Sequence, residues 1–353
     1  TRRRESSRGK NNKQSSSRTP ASPMLVVSLI AVTLAAACGP ADAFSTTKSM
    51  GVGSTFMPPV LRSSGSEGRH AAPVVGVSMS GSFKEKWQTM DKTWSNRGGL
   101  ILTQHRPNVW AAERPFLWNN IDVGCKMTLV KLSDGNLWVH SPVELDAEMR
   151  SALGDIGGEV THIVSPNYEH MKFAKQWFDA FPDAAACGCP GIKEKYPGVG
   201  YQTEVPAPDG SLPAGWPREI EAFFFDCEKN PFTGRPFFNE VNFVHTPSKT
   251  LIATDTFWNY PKREVPRGTR AWKFGMDQVY GPFYRSFMAD PEELGRIVDD
   301  ILSKDFTSIL PAHGSAIGGS DDTELSMFDD QGIVFGGDAK QVLRSHFARG
   351  PSE

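Results

Sequence analysis

From Cys125 onward the apolar residues of this chain change period again and again, and that rhythm limits the folds open to it. "CKMTLVKL", the turn "SDG" and "NLWVHSPV" read as a hairpin, two short apolar and β-branched runs around an Asp-Gly turn. "ELDAEMRSALGDIG" then reads as a helix stopped by glycine, and "EVTHIVSP" as a buried strand. "YEHMKFAKQWFDAF" places Ala174, Trp177, Phe178 and Phe181 on one helical face. After a Pro/Gly-rich stretch the strands return in "EIEAFFFD", "EVNFVHTP" and "KTLIATDTF", the last two forming a hairpin around "PSK". "DPEELGRIVDDIL" follows, with Asp290 as N-cap, Pro291 in the first turn, and a stripe of Leu294, Ile297, Val298, Ile301 and Leu302. Strand "FTSILP" comes directly after it. Two strand-rich halves, each finished by helices, predict an α/β domain over 81–353 built as a four-layer αββα sandwich, with its core at about 120–318. A mobile-looking segment, Tyr260–Arg285, is expected over one end, and the tail after Ile317 reads as a peripheral helix.

The 353 residues, 39% hydrophobic, supply enough apolar surface for a sizeable core. Charge is unevenly spread: residues 1–80 hold ten Lys/Arg against three Asp/Glu, and the rest holds 28 against 37. The acidic body has no basic stripe, which argues against a nucleic-acid partner. Five cysteines without CxxC or zinc-finger spacing point to a reducing compartment, and Cys187 and Cys189 in "CGCP" read as small buried hydrophobes.

The head reads as an address. Residues 1–23 are expected to be a basic, disordered extension upstream of Met24. "MLVVSLIAVTLAAAC" is too short to span a bilayer and has the make-up of a signal-peptide core. Small residues at Ala41 and Ala43 suit cleavage before Phe44; the following Ser/Thr/Gly/Pro-rich stretch, with the single acid Glu67, has transit-peptide composition. Residues 24–80 resemble the bipartite plastid-targeting presequences of algae with secondary plastids, which implies a plastid protein starting near residue 80. No stable membrane span is expected in the mature protein.

Chemistry-bearing residues gather at strand ends. "SPNYEH" falls in register with the His-x-His-x-Asp-His signature of the metallo-β-lactamase superfamily: Ser165 and Asn167 replace the first two histidines, Glu169 replaces the aspartate, and His170 keeps the last. "LIATDTF" resembles the later strand that carries a bridging carboxylate, here Asp255, and "ILPAHG" the final strand with its histidine, here His313. More narrowly, "SPNYEH", "HSPV", "ATDTFWN" and "LPAHG" together resemble a plant, algal and cyanobacterial family, domain-of-unknown-function family 4336, which has a metallo-β-lactamase-like fold. A fold carries over from such a resemblance more firmly than an activity.

Departures from the superfamily pattern decide what chemistry the resemblance implies. Ser165 and Asn167 are poor ligands, so the first metal site is expected to be lost. The second site would be held by Glu169, His170, Asp255 and His313, which suit one zinc, iron or manganese ion. Such a centre implies a hydrolase of a small ester, thioester or phosphoester, with Asn167 or Ser165 orienting the substrate. The alternative is a non-catalytic member of the fold that binds a small molecule or a protein. A redox role would need a flavin or oxygen partner for which the sequence has no motif. Each residue also has a plain structural explanation: Glu169 at a helix start, His170 as a cap, Asp255 in a turn, His313 in a loop. His140, His162 and His245 read as hydrogen-bonded strand histidines, His105 as part of a polar loop, and His346 as part of a terminal helix. The aromatic runs "FWNYPKR" and "RAWKFGMDQVYGPFYR" offer walls for an apolar or planar ligand, and Arg267, Arg270 and Arg285 are candidates to meet an anion.

Overall fold

In the computed structural model, the described residues are 93–96, 99–261, 265–318 and 338–348. All fall in the second of the chain's two units, Val60–Glu353. The first unit, Thr1–Pro59, and the signal and transit segments assigned to residues 24–80 lie outside the described residues.

The strands are β1 (Thr103–Arg106), β2 (Val109–Arg114), β3 (Leu117–Trp118), β4 (Ile121–Asp122), β5 (Cys125–Lys131), β6 (Leu137–His140), β7 (Val160–Ser165), β8 (Ala185–Gly188), β9 (Thr203–Glu204), β10 (Ile220–Phe224), β11 (Val241–His245), β12 (Thr250–Asn259) and β13 (Ser308–Gly314). Seven form one sheet in the order β1-β2-β5-β6-β7-β8-β9, and four form another, β10-β11-β12-β13. β1, β2, β5 and β6 pair antiparallel within the first sheet, whereas β6, β7, β8 and β9 run parallel, and β3 and β4 form a separate antiparallel pair. In the second sheet the last pair, β12 and β13, is parallel. Both expected hairpins, β5–β6 and β11–β12, are present.

The two sheets enclose one core: Val109, Val130, Trp138 and Val164 from the first meet Ile220, Phe243, Ile252 and Leu310 from the second. A second cluster lies on the other face of the large sheet, where Met149, Ala152 and Leu153 of helix α1 (Ala147–Ile156) and Trp177 of α2 (Ala174–Ala180) cover Met127, Leu129, Val139 and Ile163. The fold is therefore α/β with the expected layering.

After α3 (Ile192–Lys195), helix α4 (Arg267–Gly275) runs on through π-helical Met276–Tyr280, the short α5 (Gly281–Phe283) and π-helical Tyr284–Met288. The segment read from sequence as mobile-looking is thus helical from Arg267 onward. Helix α6 (Pro291–Ser303) packs beside β10 and has the predicted stripe buried. Each such apolar side chain contributes about 1.5–3 kcal/mol on burial. The Asp290 carboxylate accepts the amides of Glu292 and Glu293 at 3.1 Å, which satisfies two free donors of the first turn. Helix α7 (Ala339–Ala348) packs on α6.

Two expectations change here. His105 is no loop residue: it lies buried in β1, with Nε2 3.3 Å from the Ser308 hydroxyl of the opposite sheet. Helix α2 starts at Ala174 instead of Tyr168, because Asn167 folds the intervening residues into turns. Among the described residues no helix is long and apolar enough to cross a membrane.

Candidate metal centre

β12 supplies the first piece. Its pairing with β13 runs evenly to Ala253↔Pro311 and resumes at Trp258↔His313, so residues 254–257 bulge out of the ladder. A bulge of this kind re-aims a side chain but strips backbone groups of their ladder partners. Here one buried carboxylate replaces those partners. Glu240 accepts the amides of Thr254 (2.8 Å), Asp255 (2.7 Å) and Thr256 (3.0 Å), as well as the Thr256 hydroxyl (2.8 Å). Burial, then the charge of Asp255, push Glu240 above the usual carboxylate range, and these donors work against the rise.

The second piece is the bend after β7. Asn167 is fully buried, and its side-chain oxygen accepts the amides of Glu169 (3.0 Å) and His170 (2.9 Å). Its side-chain nitrogen donates to Asp255 Oδ2 (2.7 Å), Glu240 Oε2 (3.1 Å) and the Thr254 hydroxyl (3.1 Å). One amide thus ties the His170 bend to the Asp255 bulge.

β13 supplies the third piece, and His313 completes a tight triangle. His170 Nε2 lies 3.2 Å from Asp255 Oδ2, His313 Nε2 lies 3.2 Å from Asp255 Oδ1, and the two Nε2 atoms are 3.2 Å apart. A tetrahedral ion with bonds of about 2.0–2.1 Å sets its ligands roughly 3.3–3.4 Å apart, so this triangle has the size one ion requires. The far ring nitrogens are held as well: His313 Nδ1 lies 2.7 Å from the Gly124 carbonyl and His170 Nδ1 2.6 Å from the Ser141 hydroxyl. A carbonyl only accepts, so His313 Nδ1 carries its proton and Nε2 is left with a lone pair facing the centre. Converging acceptors need positive charge between them. In the bare protein, burial draws both imidazoles down, but Asp255 overrides it and both are raised; the imidazoles in turn hold Asp255 far below its ordinary value against its own burial.

The structure brings His170, Asp255 and His313 together, but not every expected residue with them. Glu169 is exposed and outside the triangle, since the side chains of successive residues on the bend diverge. Ser165 is fully buried, and its hydroxyl accepts a 2.7 Å bond from Tyr201 inside the core. Asn167 has its amide consumed by protein partners. The substrate-orienting roles expected of Ser165 and Asn167 are therefore corrected: Ser165 serves packing, and Asn167 positions Asp255 and the His170 bend.

Several participants were missed in the sequence. Ser141 was already inside the quoted "HSPV" and adopts φ 54°, a conformation that flags a special backbone position. Glu240 could have been suspected as an acid opening a buried strand. Lys126 interrupts the apolar run of β5; it is buried, pairs with Glu113 at 2.9 Å, and donates to the carbonyl of Gly314, next to His313.

The remaining candidates have other partners. His245 Nδ1 lies 2.7 Å from Ser248, and His162 Nδ1 3.1 Å from Thr161. His140 departs from expectation: it stacks on Trp138, and neither ring nitrogen has a hydrogen-bond partner among the described residues. Arg285 donates to the His346 carbonyl at 3.1 Å, and Arg267 and Arg270 are exposed. Cys125, Cys187, Cys189 and Cys227 are free, and burial pushes the Cys187 thiol up to about 12.

Similar solved structures include the DIM-1 metallo-β-lactamase exposed to ceftazidime (14% identity, 61% of this chain, 89% of that one, TM-score 0.39). The metallo-β-lactamase from Pontibacter korlensis is 11% identical (65% and 99% covered, TM-score 0.40). The flavodiiron protein from Giardia intestinalis is 12% identical (70% and 58% covered, TM-score 0.46). No curated protein sequence matches the chain. Residues 106–269 match the family model described as "Domain of unknown function (DUF4336)".

Proposed function

We propose that this protein is a plastid hydrolase with a single-ion centre on His170, Asp255 and His313, acting on a small ester, thioester or phosphoester. The observation that carries the reading is the 3.2 Å triangle of ring nitrogens and carboxylate oxygens, with the far side of each ring already engaged. Two imidazoles and one carboxylate suit zinc, iron or manganese. Such an ion, when bound, lowers the pKa of water toward neutrality and polarises a carbonyl or phosphoryl oxygen.

The chain's own residues do the positioning. Gly124 and Ser141 fix the ring planes, Glu240 fixes the bulge that presents Asp255, and Asn167 fixes the distance from Asp255 to His170. The plastid assignment rests on the composition of residues 24–80, and a fluorescent protein fused to that segment tests it by entering plastids or staying outside.

Metal analysis of the protein purified without chelator tests the centre, with His170→Ala and His313→Ala alongside. Stoichiometric metal, lost in both variants, and turnover of a 4-nitrophenyl ester that stops with it are the expected results. Trace metal in all three proteins would leave the second reading, a non-catalytic binding member of the fold.

A further inference from the structure

His313 is supported at two points, its Nδ1 and the backbone carbonyl of the next residue, and both supports lead back to residues 94–96. Trp94 and Ser95 are buried. Their amides both donate to Asp122 Oδ2, at 2.8 and 3.0 Å, and the Ser95 hydroxyl donates to the same oxygen at 2.6 Å. The Trp94 indole N–H reaches the Asp122 carbonyl at 2.7 Å. The other carboxylate oxygen, Oδ1, accepts the amides of Gly124 at 2.9 Å and Phe116 at 3.1 Å. Gly124 is the residue whose carbonyl meets His313 Nδ1 at 2.7 Å. It has φ +60°, and a Cβ there would lie 3.3 Å from Ser95 Cβ and 3.4 Å from the Trp94 ring, so the segment packs directly on it.

The second route starts at Asn96. Its amide donates to Glu113 Oε2 at 3.0 Å, and its side-chain nitrogen to the Glu113 carbonyl at 2.9 Å. Glu113 Oε1 pairs with Lys126 at 2.9 Å across the β2–β5 register, and Lys126 donates to the carbonyl of Gly314. Gly314 pairs with Asn259 at the crossing of β12 and β13, where the His313 ring stands 6.4 Å from that of Tyr260. Lys126 and Glu113 are both buried. A buried ion pair is a weak source of net stability, because desolvation offsets the attraction. What this one adds is a fixed path from Asn96 to the residue after His313. Three consecutive amides thus end on two buried carboxylates, and each carboxylate passes the constraint on toward the same imidazole. Satisfied buried networks of this kind rigidify what they join.

We propose that residues 94–96 position His313 for the ion, so that docking of this segment and metal binding reinforce each other. This rests on the single-ion reading but not on turnover. Trp94, Ser95 and Asn96 touch none of the three ligands; they act through Gly124 and Gly314. Linkage makes the effect reciprocal: a docked segment that tightens metal binding is itself tightened by the metal, by the same factor. The test uses the full chain and zinc alone, in a competition titration of the unaltered protein, Ser95→Ala and Asn96→Ala. Asp290→Ala, which removes the cap of α6, serves as the control for general destabilisation. Both segment variants are expected to weaken zinc binding about tenfold, the low end for losing a support of a ligating imidazole. Asp290→Ala is expected to bind zinc as before while unfolding at lower urea. In the unaltered chain, zinc is expected to slow hydrogen exchange at the amides of residues 94–96 about tenfold more than in α6. That measurement needs no substitution and decides the matter if a variant does not fold. Unchanged zinc affinity in both segment variants, an equal loss in Asp290→Ala, or exchange at 94–96 slowed no more than in α6 would overturn the proposal. With zinc bound stoichiometrically, any of these outcomes removes the positioning role alone; no zinc binding by the unaltered chain removes the single-ion centre with it.

Discussion

Glu240 accepts the backbone amide of Asp255 at 2.7 Å and, with the amides on either side, carries the whole bulge that presents this carboxylate. Glu240→Gln keeps the shape but turns one of its oxygens into a donor facing donors. A buried group left unsatisfied costs about 1–3 kcal/mol. The variant is expected to lose about that much in urea unfolding and to retain less metal; wild-type values for both would show that the bulge holds without the charge.

Ser141 touches no other member of the triangle, only the far nitrogen of His170, at 2.6 Å. Removing the partner of a ligating imidazole typically lowers metal affinity about 10–100-fold. Ser141→Ala is therefore expected to weaken zinc binding by that factor in a competition titration, with little change in thermal stability of the metal-free protein.

Gly314 has φ +92°, and a Cβ there would sit 2.1 Å from the Asn259 carbonyl oxygen. Neither backbone can yield without breaking the crossing that places His313 beside Tyr260. Gly314→Ala is expected to cost about 4 kcal/mol or more, seen as loss of soluble protein or a collapse of Tm. A well-folded variant with full metal content would contradict the assigned geometry.

His105 supplies a pH dependence. Burial first, then Arg106 and Lys126, bring its pKa down to about 3 in the folded chain, against 6.5 in the ordinary range. Because the folded value lies below the unfolded one, stability is full above about pH 6.5 and falls as pH drops toward 3, where the unfolded chain binds the proton more readily. The slope from this one group is at most about 1.4 kcal/mol per pH unit. His105→Gln is expected to flatten the profile of unfolding free energy between pH 6.5 and 4; an unchanged profile would place the acid sensitivity elsewhere.

The last helix contributes more than a peripheral position. His346 of α7 has Nε2 3.0 Å from the carbonyl of Thr256, at the edge of the bulge, and its ring packs on Trp258 and Phe257. His346→Ala is expected to destabilise the protein by about 1–3 kcal/mol in urea titration. A loss confined to a few tenths would make the helix ornamental to the site.

What the sequence determined by itself was local: period, cap and turn chemistry, and the order of four short motifs. The stripe of α6 with its Asp290 cap, the hairpins around "SDG" and "PSK", and the layering they imply all follow from residues within a few positions of one another. His170, Asp255 and His313 could be nominated because their motifs fall in register with a known signature, although His170 lies five residues beyond β7 and Asp255 inside β12. Only the tertiary structure decided which neighbours shared their centre. Glu169 and His170 are adjacent in sequence and point apart on a bend shaped by Asn167; Glu240 and Lys126 act on residues 15 and 188 positions away, through a bulge and a backbone carbonyl. A side chain's direction on an irregular turn, and a hydrogen bond to a distant main chain, depend on the packing of whole sheets, and no periodic signal in the chain encodes them.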